Sequence, residues 1–163
     1  MEKEHLITLV GYNAWADNRL LATAKKASQD QLNEEVGLSH GSIFHSLRHT
    51  LDVEWSWRLA CLGEPIPQTL WEVVPLPDLD AVVEYWGMEH DRLVKFIQGL
   101  EPSDLDRLIT PSWMKHSYTI RHVIVHVVNH GAAHRDAIGW ALTRLGHSPG
   151  ELDFLDYIDR LGG

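Results

Sequence analysis

Hydrophobic positions recur at helical spacing over four long stretches of the chain. From about His5 to Lys26, Leu6, Leu9, Val10, Trp15, Leu20, Leu21 and Ala24 fall at helical intervals. Ser28 and Gln31 follow in capping-box relation, which predicts a short capped turn. A second helix is predicted from Ser42 through Ile43, Leu47, Leu51, Trp55 and Leu59, stopping at Gly63. Glu64 to Pro77 carries Pro65, Pro67, Pro75 and Pro77 and cannot be one regular helix, because proline removes a donor and clashes with the preceding turn. A third helix is predicted from Asp78 through Val82, Trp86, Leu93 and Ile97 to Gly99. After an irregular stretch with Pro102, Pro111 and Trp113 comes the longest helix, capped by Thr119 and running to Leu145, with Gly146 as its stop. A last short helix is expected over Glu151 to Leu161. Strand signals are poor, and there is neither an internal repeat nor a low-complexity segment. Four long amphipathic helices joined by connections of a dozen or more residues predict an all-α four-helix bundle with long crossover connections.

Composition narrows the function without naming it. The 163 residues suit a single domain, 1–163, with an ordinary core. A formal net charge of −9 and the lack of any Lys/Arg cluster argue against a nucleic-acid or anionic-membrane partner. Cys61 is the single cysteine, the first residues are charged rather than basic and then apolar, and no apolar run approaches the roughly 18–20 residues that span a bilayer. A cytoplasmic protein is the expectation. Two residue types stand out: seven Trp, spread along the chain as core or pocket wall, and eleven His, five of which lie between His116 and His134.

Those histidines form a ladder: His122, His126, His130 and His134 stand four apart on the fourth helix. Neighbours at this spacing lie on one face about 5–6 Å apart, which suits two imidazoles sharing a metal. Each step of four drifts about 40° around the helix, so all four cannot hold one ion. Val123, Val127, Ile138, Ala141 and Leu145 occupy a sector roughly 60° wide, with His134 inside it and His130 beside it. His126 sits further out and His122 about a quarter turn from the stripe. His130 and His134 are therefore the inward pair, and two neutral imidazoles in an apolar core need partners that a metal or a polar network supplies. A third ligand from another helix would be His45 or His49, again at i, i+4, and the wheel does not choose between them. H-E-x-x-H and H-x-x-E-H are absent, and the one Glu-x-x-His pair, Glu2 with His5, is at the chain start, so helical zinc-protease and di-iron patterns do not apply.

The chain resembles the DinB/YfiT-like family of four-helix-bundle metalloproteins over most of its length. The resemblance is carried by Tyr12-Asn13-Ala14-Trp15-Ala16-Asp17-Asn18 and by Ser42-Ile43 with Leu47, His49 and Trp55. It extends through His126-Val127-Val128-Asn129-His130-Gly131 and His134-Arg135, and through Leu145-Gly146-His147-Ser148-Pro149-Gly150 with Asp153-Phe154. It implies His49 rather than His45 as the ligand beside His130 and His134, an up-down-down-up topology and a homodimer. Ala133 stands where the family often has another His. Asp136-Ala137 stands where it often has Gly-Gln, leaving any role of that Gln unfilled. Three neutral imidazoles with open positions imply one divalent transition metal, Zn, Ni or Fe, acting as a Lewis acid. Related proteins include metal-dependent hydrolases and thiol S-transferases. The implied activity is therefore activation of water or a low-molecular-weight thiol toward a small-molecule substrate. The alternative is a non-catalytic metal-binding or stress-associated bundle. Asp52 and Glu54 lie near His49 in sequence, with no facing assigned.

Overall fold

A computed structural model describes residues 2–66 and 68–162. Pro67, counted above among the prolines of the second connection, lies outside the described residues. The long helices are α1 (Lys3–Ala24), α3 (Ile43–Leu62), α5 (Leu79–Gln98) and α6 (Ile120–Arg144). Short helices α2 (Gln29–Asn33), α4 (Leu70–Val73) and α7 (Phe154–Leu161) lie in the connections and tail. The tail helix thus starts three residues later than its apolar pattern suggested.

The predicted caps form. Ser28 and Gln31 make both bonds of a capping box. The Ser42, Asp78 and Thr119 side chains accept from the backbone N–H groups of His45, Ala81 and His122, satisfying donors a helix start leaves unpaired. Gly63 ends α3 at φ 76°, a left-handed conformation open to glycine at little cost.

Two short hairpins, not expected from the pattern, fill the connections. β1 (Glu35–Leu38) pairs antiparallel with β2 (Gly41–Ser42), and β3 (Leu108–Ile109) with β4 (Tyr118–Thr119). Strands of two to four residues are too short to show alternation, so the sequence carried no signal for them.

Side-chain contacts fix the helix directions. Asn13 and Asp17 of α1 meet Arg135 of α6, and Leu20 approaches Gly139, so both helices run the same way. Lys3 reaches Gln98 and Lys25 reaches Asp80, which makes α1 and α5 antiparallel. Glu54 meets Trp86 and Arg58 meets Glu89, so α3 and α5 are parallel. The result is the up-down-down-up bundle, possible because every connection between long helices is long enough to cross.

The core divides into two apolar clusters. One gathers Leu20, Ile43, Leu47, Leu51, Leu70, Trp86, Ile138 and Leu142; the other gathers Leu6, Val10, Trp57, Leu93, Ile97, Ile120, Ile124 and Val128. On α1, α5 and α6 the buried residues between these clusters are polar or small, Asn13 and Asp17, Glu89 and His90, Gly131 and Arg135, while on α3 Glu54 and Arg58 flank Trp55 and Trp57. A polar layer therefore crosses the middle of the bundle. Among the described residues, no helix is long and apolar enough to cross a membrane.

Candidate metal centre

The imidazoles of α3 and α6 meet where these antiparallel helices face each other. His49 Nε2 lies 3.2 Å from His130 Nε2. The ring centroids of His49 and His134 are 5.0 Å apart, and those of His130 and His134 are 4.4 Å apart. The three histidines expected at the site are thus brought together, each half-buried. His45, the alternative left open by periodicity, points outward, with its Nδ1 3.2 Å from the Ser42 hydroxyl at the cap of α3. His122 and His126 are exposed, as the wheel requires; the His126 ring lies edge-on against Trp57.

A fourth ring joins them. His40, in the turn between β1 and β2, stacks on His49 with centroids 3.7 Å apart and lies 5.4 Å from His134. The ligand nitrogens of His40, His49 and His134 all fall within 4.8 Å of one another, a set that does not include His130, which meets His49 at 3.2 Å.

The electrostatics of this cluster are unusual for a protein interior. Burial lowers the His49 pKa to about 4, helped by the charges of His40 and His134. Burial lowers His130 to about 3, with His134, His49, His126 and His40 adding to it. His134 is lowered by burial and by His40. These three rings are therefore neutral at pH 7 and offer lone pairs. His130 Nδ1 is buried with no hydrogen-bond partner. A separation of 3.2 Å between two Nε2 atoms also matches the edge of a coordination shell. With metal–nitrogen bonds of about 2.0–2.1 Å, a tetrahedron has edges of roughly 3.3 Å. The donor set fits a borderline-soft divalent ion.

Beneath the cluster lies the polar layer, which periodicity does not reveal. Arg135 donates to Asn13 Oδ1 at 2.6 Å and to Asp17 Oδ1 at 2.8 Å. Asn13 Nδ2 donates to Glu54 Oε1 at 2.6 Å and Trp86 Nε1 to Glu54 Oε2 at 2.9 Å, while His90 Nε2 lies 3.2 Å from Asp17 Oδ2. Burial works to raise the Asp17 pKa, but the Arg135 charge and His90 outweigh it and hold the carboxyl below its usual range. Burial, with the Asp17 charge, raises Glu54 to about 7. The sequence clue was present in the Asn13-to-Asp17 stretch of α1: two polar side chains one turn apart on a buried face.

The two carboxylates near His49 in sequence are thus committed elsewhere. Glu54 belongs to this layer, and Asp52 accepts from the Leu70 backbone N–H at the start of α4. A cleft of about 520 Å³ between α6 and the tail is lined by Tyr12, Ala133, Arg135, Asp136 and Ser148, and by none of the four imidazoles. Both departures from the resemblance, Ala133 and Asp136, open onto this cleft and not onto the histidine cluster. Gly37-Leu38-Ser39-His40-Gly41 also spells the G-x-S-x-G string of hydrolase elbows. Here it forms a two-stranded antiparallel hairpin with Ser39 exposed, so it lacks the strand-to-helix turn that gives the motif meaning.

A helical bundle with clustered imidazoles defines the class, and the comparisons give the family. The model of the DinB family matches residues 1–161, and the chain belongs to that family. It is 26% identical over 157 residues to "Protein DinB" of Bacillus subtilis (strain 168), covering 92% of this chain and 91% of that protein. Its fold is similar to the crystal structure of a DinB-like protein from Bacillus subtilis. The TM-score is 0.65 at 18% identity, with 86% of this chain and 92% of that chain covered.

Proposed function

We propose that this protein binds one divalent transition ion, Zn, Ni or Fe, through His49, His130 and His134. We further propose that it acts as a metal-dependent enzyme of the hydrolase or thiol S-transferase type. The observation that carries this reading is the convergence of neutral imidazoles from α3 and α6, with the His49 and His130 Nε2 atoms 3.2 Å apart. When bound, such an ion lowers the pKa of a coordinated water or holds a thiolate.

The protein's own residues orient the donors. α3 and α6 hold the rings, and their burial, with the like charge that would build up on protonation, keeps them neutral. The chain supplies no thiolate: Cys61 is buried and its pKa is pushed up to about 12 by that burial. A reacting thiol, or water, therefore comes from solution, with a small electrophile as substrate. A cytoplasmic homodimer is part of this proposal. Because Asp52 and Glu54 are both engaged, no carboxylate base is assigned. That engagement favours, as the second reading, a metal-binding protein without catalysis.

The test uses tag-free protein stripped with chelator and titrated with Zn(II), Ni(II) or Fe(II) at neutral pH. A single ion per chain is expected. Free ion at a hundredfold over its Kd should stabilise the fold by about 2.7 kcal/mol. His49→Ala, His130→Ala and His134→Ala should each remove most of that gain. Unchanged metal content in these variants overturns the site. Metal-dependent turnover of a model electrophile with a small thiol, lost in His49→Ala, supports the enzyme; stoichiometric metal with no turnover selects the binder.

A further inference from the structure

The hairpin between α2 and α3 brings a side chain to the centre that the three-histidine description leaves out. We propose that His40 is a fourth imidazole ligand of the same ion, carried on a loop rather than on a helix. The proposal rests on the reading that the histidine cluster holds a metal.

Three features place His40 there. The turn that carries it is shaped by Gly37 and Gly41, at φ 77° and 79°, where an L side chain would be strained. A Cβ at Gly41 would sit 2.5 Å from Glu35 Oε2, the far end of an exposed side chain that can move, so it is the positive φ that calls for glycine here. Ser42, the last residue of the hairpin, is the N-cap of α3, which ties the turn to the helix that bears His49. Leu38 packs against the apolar core and anchors the outgoing strand.

Among the described residues, the ring has His49 and His134 as its aromatic neighbours. It stacks on His49 at an interplanar angle of 23°, and its ligand nitrogen is within 4.8 Å of those of His49 and His134. Like His49 and His130, it approaches other bases. Because the His40 and His49 rings lie face to face, their in-plane lone pairs do not meet in this arrangement, and the His40 ring would turn on its loop to reach an ion beside His49 and His134. The other histidines differ. His45 is held at the Ser42 cap and His126 lies against Trp57, its centroid 5.9 Å from that of His130.

The chemical consequence is a change in coordination number. Four protein ligands close a tetrahedral shell, whereas three leave a position for water or substrate. His49, His130 and His134 stand on helices and His40 on a two-stranded turn, so His40 is the ring that could move away and leave a position open, while the other three would hold the ion.

The experiment uses the full chain loaded with Co(II), whose ligating imidazoles give strongly shifted proton resonances. The wild type should show four shifted rings, and His40→Ala three, with at least tenfold weaker Co(II) affinity in competition with a chelator. His45→Ala, at an exposed position nearby, should leave the resonances and the affinity unchanged. Because His40 is on a surface turn, circular dichroism should show both variants folded. His40→Gln provides a second variant that keeps the hairpin polar. If the wild type binds Co(II) and the His40 variants retain every shifted ring, His40 is not a ligand and the three-histidine reading stands alone. If the wild type binds no Co(II), both proposals fall.

Discussion

Glu54 lies five residues beyond His49 on α3, and Arg135 directly follows His134 on α6, so the polar layer and the imidazole cluster grow from adjacent positions of the same helices. Their internal chemistry is opposite. In the layer, donors meet acceptors: a guanidinium faces a carboxylate, and an indole and an amide share the two oxygens of Glu54. In the cluster, bases meet bases. Each region leaves a buried nitrogen without a partner, Arg135 Nη2 in the layer and His130 Nδ1 in the cluster. What separates the two is charge: opposite charges complete one another in the layer, whereas the cluster gathers only neutral bases.

The layer should be broken most severely by Arg135→Met. It keeps the volume near constant but leaves Asp17, at 0% exposure, without its guanidinium. Loss of one partner from a buried pair costs about 3–5 kcal/mol. Urea denaturation of the metal-free protein measures it, and a loss below about 1 kcal/mol would contradict the structural role. His134→Leu, the neighbouring change in the cluster, should cost the metal-free protein clearly less.

Trp86→Phe probes the layer more gently by removing the indole N–H that Glu54 Oε2 accepts. An acceptor stripped of its donor in the interior costs about 1–3 kcal/mol. The denaturation midpoint should fall without loss of metal stoichiometry, since the imidazoles are untouched. Loss of stoichiometry here would mean that the two regions are coupled.

The smallest effect is a pH slope of opposite sign in the two regions. His49 and His130 have folded pKa values of about 4 and about 3, below their unfolded values near 6.5. Their contribution is present above pH 6.5 and is lost as pH falls toward the folded values. Glu54, raised to about 7 from near 4.5, contributes stability below pH 4.5 that is lost as pH rises through about 7. Chelator-treated wild type and His130→Leu share the Glu54 contribution, so their difference isolates the imidazole. The variant should lose less stability than the wild type between pH 6.5 and 4, as followed by melting temperature. Parallel curves would show that His130 does not titrate as its surroundings dictate.

Much of this was legible in the sequence. Apolar spacing marked all four long helices, and Ser42, Asp78 and Thr119 marked the starts of three of them, because helix ends must satisfy their free N–H groups locally. The wheel separated His130 and His134 from His122 and His126, because burial on α6 follows the 3.6-residue period. The choice of His49 over His45 was not available from periodicity on a helix apolar nearly all round. His40 was invisible for a different reason: its position depends on a hairpin of a few residues with no period to read. Arg135 belongs to the stripe of α6 by angle, yet its burial follows only once Asp17 is known to face it from α1.

The glycines on either side of Arg135 give the layer a further consequence. Gly131 and Gly139 stand four residues before and after it, at the two places α6 would offer Asp17 after sliding by one turn, about 5.4 Å. Either slip would set a residue without a side chain against a fully buried carboxylate and forfeit about 3–5 kcal/mol. A Cβ at Gly131 would also stand 2.7 Å from Asn13 Oδ1 and 2.9 Å from Arg135 Nη1, so the glycine keeps open the path by which these groups meet. The guanidinium thus works as a detent on the sliding of α6, and the height at which His130 and His134 stand opposite His49 is set by a charge one residue away.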